Sequence, residues 1–271
     1  MLKTNISDTW LSDAPRSIMT LALDVVESLY GIVSREQAQT DLLAIETELG
    51  AALAEYPVPI SGEQLVRVLY KVLGFAGDWE QFFSFDNCLL NRVIARRRGI
   101  PISLAIVILH FCERFNIEAQ GIGFPGNFLV KFPSAESPVI VNPFTGAAVS
   151  KLDRERLLKG ARGNLATLKP IHMKVMTPLA MLGRLLNVTK ASFIHHQQFD
   201  MALKSCELLL KITPDDPFER RDRGFLYEQL DCPQWAQDDF EFFIEQCPED
   251  PVSEVLKAQI MGLNASPTVF H

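Results

Sequence analysis

Cysteine patterning is the first thing this chain lacks. Its five cysteines, Cys88, Cys112, Cys206, Cys232 and Cys247, are odd in number and nowhere form a CxxC pair. That spacing supports neither a disulfide framework nor a metal site, and reduced thiols of a cytosolic protein are expected. Long apolar runs are missing too. The longest, about Ile100 to Cys112, contains His110 and falls short of the roughly 20 residues that a bilayer span requires. It reads as a buried helix, so no membrane partner is expected. Met1 to Trp10 is polar and lacks the apolar centre of a secretion signal, which makes a cytoplasmic location the expectation. Positive charge is in deficit, with 26 Lys and Arg against 33 Asp and Glu and a net charge of -7. Such a surface repels phosphate backbones and excludes nucleic acid as a general partner. The one basic run, Arg96-Arg97-Arg98, is too short to reverse this and reads as a solvated helix end paired with carboxylates.

What remains is an ordinary globular composition, 48% hydrophobic and 22% charged over 271 residues, enough for one large domain or two modest ones. Ile18, Leu21, Ala22, Val25, Val26 and Leu29 recur at helical spacing and predict a helix over 16–30. A second helix is predicted over 35–55 with Leu42, Leu43, Ile45, Leu49 and Leu53 as its core face, stopped by Pro57 and Pro59. Ser61 has the character of an N-cap, and Leu65, Val68, Leu69, Val72 and Leu73 follow it on a third helix. Residues 87–98 read as a helix that Gly99 breaks, and Pro101 suits the first turn of the next, which runs to about Phe115. Three strands are then predicted, Ala119–Phe124, Phe128–Phe132 and Val139–Asn142, with turns supplied by Gly126 and by residues 133–137.

Beyond about Leu168 the chain is helical again and repeats itself. Ala202 and Ala236, Pro214 and Pro248, Phe193 and Tyr227, and Asp216-Pro217 and Asp250-Pro251 all recur at about 34 residues, the tetratricopeptide period. Gly224, Tyr227, Ala236 and Pro248 take the small, aromatic, small and turn positions of that motif. A final capping helix is predicted over Val252–Ile260. The expected division is 1–168 for the helical N-terminus and an α+β core, and 169–271 for the repeats. The fold class is α+β, mostly helical.

Three segments carry the candidate site. They are Arg97-Arg98-Gly99-Ile100-Pro101-Ile102-Ser103-Leu104-Ala105, then Phe124-Pro125-Gly126-Asn127-Phe128, then Val141-Asn142-Pro143-Phe144. With Arg221-Asp222-Arg223-Gly224 and Gln246-Cys247-Pro248-Glu249-Asp250-Pro251 in the tail, they resemble the bacterial SirB-type proteins, a transglutaminase-like module followed by tetratricopeptide repeats. In active members of the wider fold, the resemblance implies a nucleophilic Cys, a His and an Asp at the three places. This chain holds Ser103, Asn127 and Asn142 there.

A Cys-His-Asp site needs a nucleophile, a base within hydrogen-bond reach and a group that orients the base. Ser103 stands at a helix start, where backbone N–H groups could support an anion, but its hydroxyl is a poor nucleophile without a base. An Asn127 amide does not titrate near neutral pH, and Asn142 lacks the charge that steadies an imidazolium. His110 lies seven positions along the same helix as Ser103, roughly 10 Å away by helical rise. The expected function is therefore a non-catalytic, transglutaminase-like interaction or regulatory module with a protein or peptide partner and no cofactor. The alternative is an acyl-transfer enzyme that uses Ser103 or a cysteine with a base not visible in the sequence. Ser103, Asn127 and Asn142 equally suit local roles, as a helix cap and two turn residues. Arg221 and Arg223 could line a peptide groove in the repeats, or belong to a helix-start ion network.

Overall fold

The structure, a computed structural model, describes residues 16–265; the polar segment Met1–Trp10 lies outside them. The described residues form two compact units that divide between Val188 and Thr189. Residues 169–188 thus group with the first unit. Val175 makes an antiparallel bridge to Ile122, and Met176 N–H donates to Gly121 O (2.9 Å), which ties that stretch to the core.

The first unit begins with three helices, α1 (Ile18–Tyr30), α2 (Ile32–Leu53) and α3 (Gly62–Lys71). Ser17 caps α1 by accepting from Thr20 N–H, and Ser61 forms a reciprocal capping box with Gln64 at α3. Leu42, Ile45, Leu49 and Leu53 form the buried stripe of α2, but Leu43 is 63% exposed. Adjacent helical positions stand about 100° apart, so Leu43 cannot share the face of Leu42. Val72, likewise expected inside, is exposed beyond the end of α3.

The predicted helix over 87–98 is shorter. A 3-10 turn covers Phe85–Asn87, and α4 spans Leu90–Arg96. Arg97 adopts a left-handed conformation (φ 54°), and Arg98–Gly99 forms β2, paired in parallel with β1 (Ala76–Gly77). Two-residue strands leave no periodic signal in a sequence. The three predicted strands are present as β3 (Gln120–Ile122), β4 (Leu129–Phe132) and β5 (Val139–Asn142), with β6 (Ala147–Ala148) added at the edge. They form one antiparallel sheet ordered β3-β4-β5-β6, with Val130 opposite Val141. Helix α5 (Pro101–Arg114), buried without a break from Ile102 to Ile108, packs on β3 and β4. Leu158 of α6 (Lys151–Arg162) joins Ile122, Phe124, Leu129 and Ile140 in a second apolar cluster.

The division between units falls within α7 (Pro178–His195). In the second unit α8 (Phe199–Ile212), α9 (Pro217–Gln229), α10 (Pro233–Gln246) and α11 (Pro251–Ala265) follow. Ala202 and Ala236, the small positions of the 34-residue period, are completely buried. Gly224 lies against the Phe240 ring, where a Cβ would come within 2.5 Å of a ring carbon. Helices α9 and α10 approach closely because that residue has no side chain.

Candidate functional site

Pro101 begins α5 at its first turn, where its missing N–H leaves no bond unmade. Ser103, two residues on, is completely buried. Its Oγ accepts from Ile100 N–H (3.1 Å) and lies 2.6 Å from Asn87 O and 3.1 Å from Ile100 O. The single hydroxyl proton goes to the nearer carbonyl, that of Asn87. Gly99 closes over the oxygen; a Cβ there would meet Oγ at 2.6 Å. All three described hydrogen-bond partners of Ser103 Oγ are backbone atoms.

Asn127 follows the Gly126 turn, and its Oδ1 accepts from Phe128 N–H (2.8 Å). Asn142 ends β5, and its Oδ1 accepts from Phe144 N–H (2.9 Å), an Asx-type turn that starts the Pro143-Phe144 corner. Antiparallel pairing of β4 and β5 puts both asparagines at one end of the sheet. Among the described residues no hydrogen bond links Ser103, Asn127 and Asn142 to one another. Arg184 of α7 reaches the turn instead, donating to Phe124 O (3.1 Å) and Asn127 O and lying over the Phe128 ring.

Asn87 is the hub that residue-type reasoning missed. It is completely buried; its carbonyl takes Ser103, its Nδ2 donates to Gln81 O (2.7 Å) and its Oδ1 accepts from Arg96 (3.2 Å). Arg96 also pairs with Asp78 (2.7 Å). Burial alone would push the Asp78 carboxyl upward, but the Gln81 N–H and the Arg96 guanidinium outweigh it and hold it below its ordinary range. The basic run is thus partly paired, as expected: Arg97 meets Glu48 (2.9 Å), while Arg98 donates to Gly74 O (2.6 Å).

The corner after Asn142 is gripped from several sides. Tyr70 Oη donates to Pro143 O, and Gly77 N–H donates to Phe144 O (2.9 Å). Phe144 packs edge-on against Trp79 (4.4 Å between centroids) and Phe82 (5.6 Å). Trp79 is 72% exposed and Phe83 is 67% exposed, so an apolar aromatic surface stands on this corner. Beside it opens a cavity of about 700 Å³ lined by Gly77, Asp78, Trp79, Arg96 and Arg98.

In the repeat unit the arginines are held internally. Arg223 makes a two-pronged contact with Asp239 (2.6 and 2.7 Å), whose side chain is almost wholly buried. Arg221 pairs with Asp222 (2.7 Å) and lies over the Phe218 and Phe243 rings. Lys190, absent from the sequence reading, is buried and donates to Glu219 (2.6 Å) and Asp222 (2.8 Å). Its only sequence signal is that it is the lone charge between Arg184 and Asp200.

All five cysteines are free thiols, and Cys88, Cys112 and Cys206 are buried. Burial pushes the Cys112 thiol up to about 12 and raises that of Cys206 as well. Thiolates are the reactive form, so Cys112 in the native protein should alkylate far more slowly with iodoacetamide at pH 8 than in urea. Mass spectrometry of the labelled peptide would reveal rapid native modification if that expectation were wrong. Among the described residues no group of three or more His, Cys, Asp or Glu could hold a metal ion, and no helix is long and apolar enough to cross a membrane.

Residues 36–187 match the Transglutaminase-like superfamily, and residues 189–261 match the Tetratricopeptide repeat family. The UPF0162 protein of Vibrio cholerae is 35% identical over 252 residues, covering 90% of this chain and 93% of the relative. The chain belongs to the SirB-type family. Two further SirB-type relatives are the UPF0162 protein YchA of Escherichia coli K12 and SirB1 of Salmonella typhimurium. YchA is 31% identical over 92% of this chain and 87% of its own length. SirB1 is 32% identical over 77% of this chain and 78% of its own length. No solved structure matches the chain.

Proposed function

We propose that this SirB-type protein is a non-catalytic, transglutaminase-like interaction module that takes a protein or peptide partner. The observation that carries the reading is the environment of Ser103 Oγ, whose described partners are the backbone groups of Ile100 and Asn87. Nucleophilic catalysis needs a base that receives the hydroxyl proton, and here that proton is committed to a carbonyl. Asn127 and Asn142 each use a side-chain oxygen to hold a turn. Two further features support an interaction role. Exposed Trp79 and Phe83 form the kind of aromatic surface that anchors partners. Tetratricopeptide repeats in general serve protein–protein contacts. No cofactor enters this reading, and a cytoplasmic site of action accords with the reduced thiols.

The test separates structure from chemistry. Ser103→Ala should cost about 1–3 kcal/mol in urea unfolding, because it strands the buried Asn87 carbonyl and Ile100 N–H. A fluorophosphonate probe should leave wild-type Ser103 unlabelled from pH 7 to pH 9. Labelling that disappears in Ser103→Ala would establish the acyl-transfer alternative instead. Trp79→Ala with Phe83→Ala should keep the fold and abolish partner capture in cells after cross-linking. Capture unchanged in that variant, in Ser103→Ala and in Asn127→Ala would remove this face as the docking surface.

A further inference from the structure

Helix α6 and the segment after it carry a charge opposite to that of the whole chain. Residues 151–174 hold seven Lys and Arg against two acidic residues, whereas the chain in full carries 26 against 33. Of the two acids, Asp153 is committed to α6 itself. It accepts from Ser150 N–H (3.0 Å) and Ser150 Oγ–H (2.6 Å) and pairs with Arg156 (3.4 Å). Among the described residues no carboxylate pairs with Lys151, Lys159, Arg162, Lys169 or Lys174, and all five are exposed. The negative end of the α6 dipole accounts for Lys159 and Arg162 in its last turn. It does not account for Lys151 at the opposite end, or for Lys169 and Lys174 beyond the helix.

Apolar side chains stand among these charges. Leu152, Arg156 and Lys159 are four and three residues apart, so they share one face of α6, turned away from the buried Leu158. Leu152 is 54% exposed, and beyond the helix Leu165 and Ile171 are 96% and 65% exposed. The backbone that bears them is anchored. Ala166, Leu168 and Met173 pack against the cluster around Leu158, and His172 Nδ1 accepts from Lys169 N–H (3.1 Å). Exposed leucine and isoleucine on a packed layer, ringed by unpaired cations, are the elements of a binding face.

We propose that α6 and residues 163–174 form a docking face for an acidic protein segment that carries aliphatic side chains. Charge complementarity selects the sign of the partner, and Leu152, Leu165 and Ile171 are covered when it docks. Residues 151–174 contain no Phe, Tyr or Trp on which bases could stack, which disfavours single-stranded nucleic acid. The net charge of -7 repels an extended polyanion or an anionic bilayer, whereas a short segment senses the local face, because salt screens more distant charges. This face uses neither Ser103 nor the aromatic corner at Phe144, so it stands or falls separately from them.

Fluorescence anisotropy on the full-length protein tests the proposal with short labelled peptides, in which two Leu are set at varied spacings in a Glu-Gly background. Companion peptides replace Glu with Gln or Leu with Ser. At least one Glu-Leu peptide should bind in the micromolar range, both of its companions should bind about tenfold more weakly, and added salt should weaken it. Lys159→Glu with Lys174→Glu should abolish binding, and Leu165→Ser with Ile171→Ser should weaken it about tenfold. Circular dichroism should show both variants folded, since the replaced side chains are exposed. The proposal is overturned if no Glu-Leu peptide binds at millimolar concentration, if the Ser companion binds as tightly as its parent, or if either double variant binds as wild type does. Binding to phosphatidylglycerol vesicles, or self-association in sedimentation, that the charge-reversed variant loses while no peptide binds would assign the face to a bilayer or to a second copy of this chain instead.

Discussion

Lys190→Met is expected to cost the repeat unit about 3–5 kcal/mol, the range for breaking a buried ion pair from one side. The Lys190 side chain is only 5% exposed, and its ammonium lies between Glu219 and Asp222. Methionine keeps the aliphatic packing and removes the charge. Glu219 then stays buried beside Cys206, whose Sγ already donates to Glu219 O (3.2 Å) and cannot replace a cation. Urea unfolding should show a lower midpoint with an unchanged slope. A loss below about 1 kcal/mol would mean that the pair behaves as an exposed one.

The same triad has a pH signature. Burial alone would lower the Lys190 pKa, but its bonds to Asp222 and Glu219 outweigh it and hold the ammonium above its ordinary range. A raised lysine pKa stabilises the fold fully below the unfolded value, about 10.4, and that contribution is lost as pH rises through the folded value. Wild type should therefore lose stability above about pH 10 more steeply than Lys190→Met. Parallel curves would show that other groups dominate the alkaline transition.

Phe144→Ala should destabilise the first unit by about 3–5 kcal/mol, the usual cost of deleting a buried phenyl ring. Phe144 is the residue on which the corner converges. Gly77 abuts its ring so closely that a Cβ would come within 2.4 Å of it, and Trp79 and Phe82 close the outer side. Gly77→Ala alone should cost about 1–3 kcal/mol by overpacking. The informative variant is the double one. Removing the ring makes room for the new methyl, so the combined loss should fall clearly below the sum of the two singles. Additive losses would show that the two residues do not share the contact. Because Trp79 rests on Phe144, the single Phe144→Ala variant should also disorder the aromatic surface and reduce partner capture.

Much of the architecture was legible because it is local. Ser61 caps α3 through an atom three residues away, and Pro101 begins α5 by its own ring geometry. The strand cores at 120–122, 129–132 and 139–142 lie inside the predicted spans, since alternation and flanking turns are written in consecutive residues. The errors are also physical. Leu43 counts as apolar by type but falls off the buried arc of α2. The strands β1, β2 and β6 are two residues long, too short for any period to register.

The sequence by itself determined α1 to α3, α5, the helical repeats, the main strands, the 34-residue recurrence and the presence of Ser103, Asn127 and Asn142 in three resembling segments; it gave no sign of α6 and overran α4. Those features depend on spacing along one chain. Only the tertiary structure decided what the side chains meet. Ser103 finds the Asn87 carbonyl 16 residues away, Arg184 finds the Asn127 carbonyl 57 residues away and Lys190 finds Glu219 29 residues away. Each contact links elements whose separation no local pattern encodes, because the geometry that joins them is set by how whole helices and strands pack.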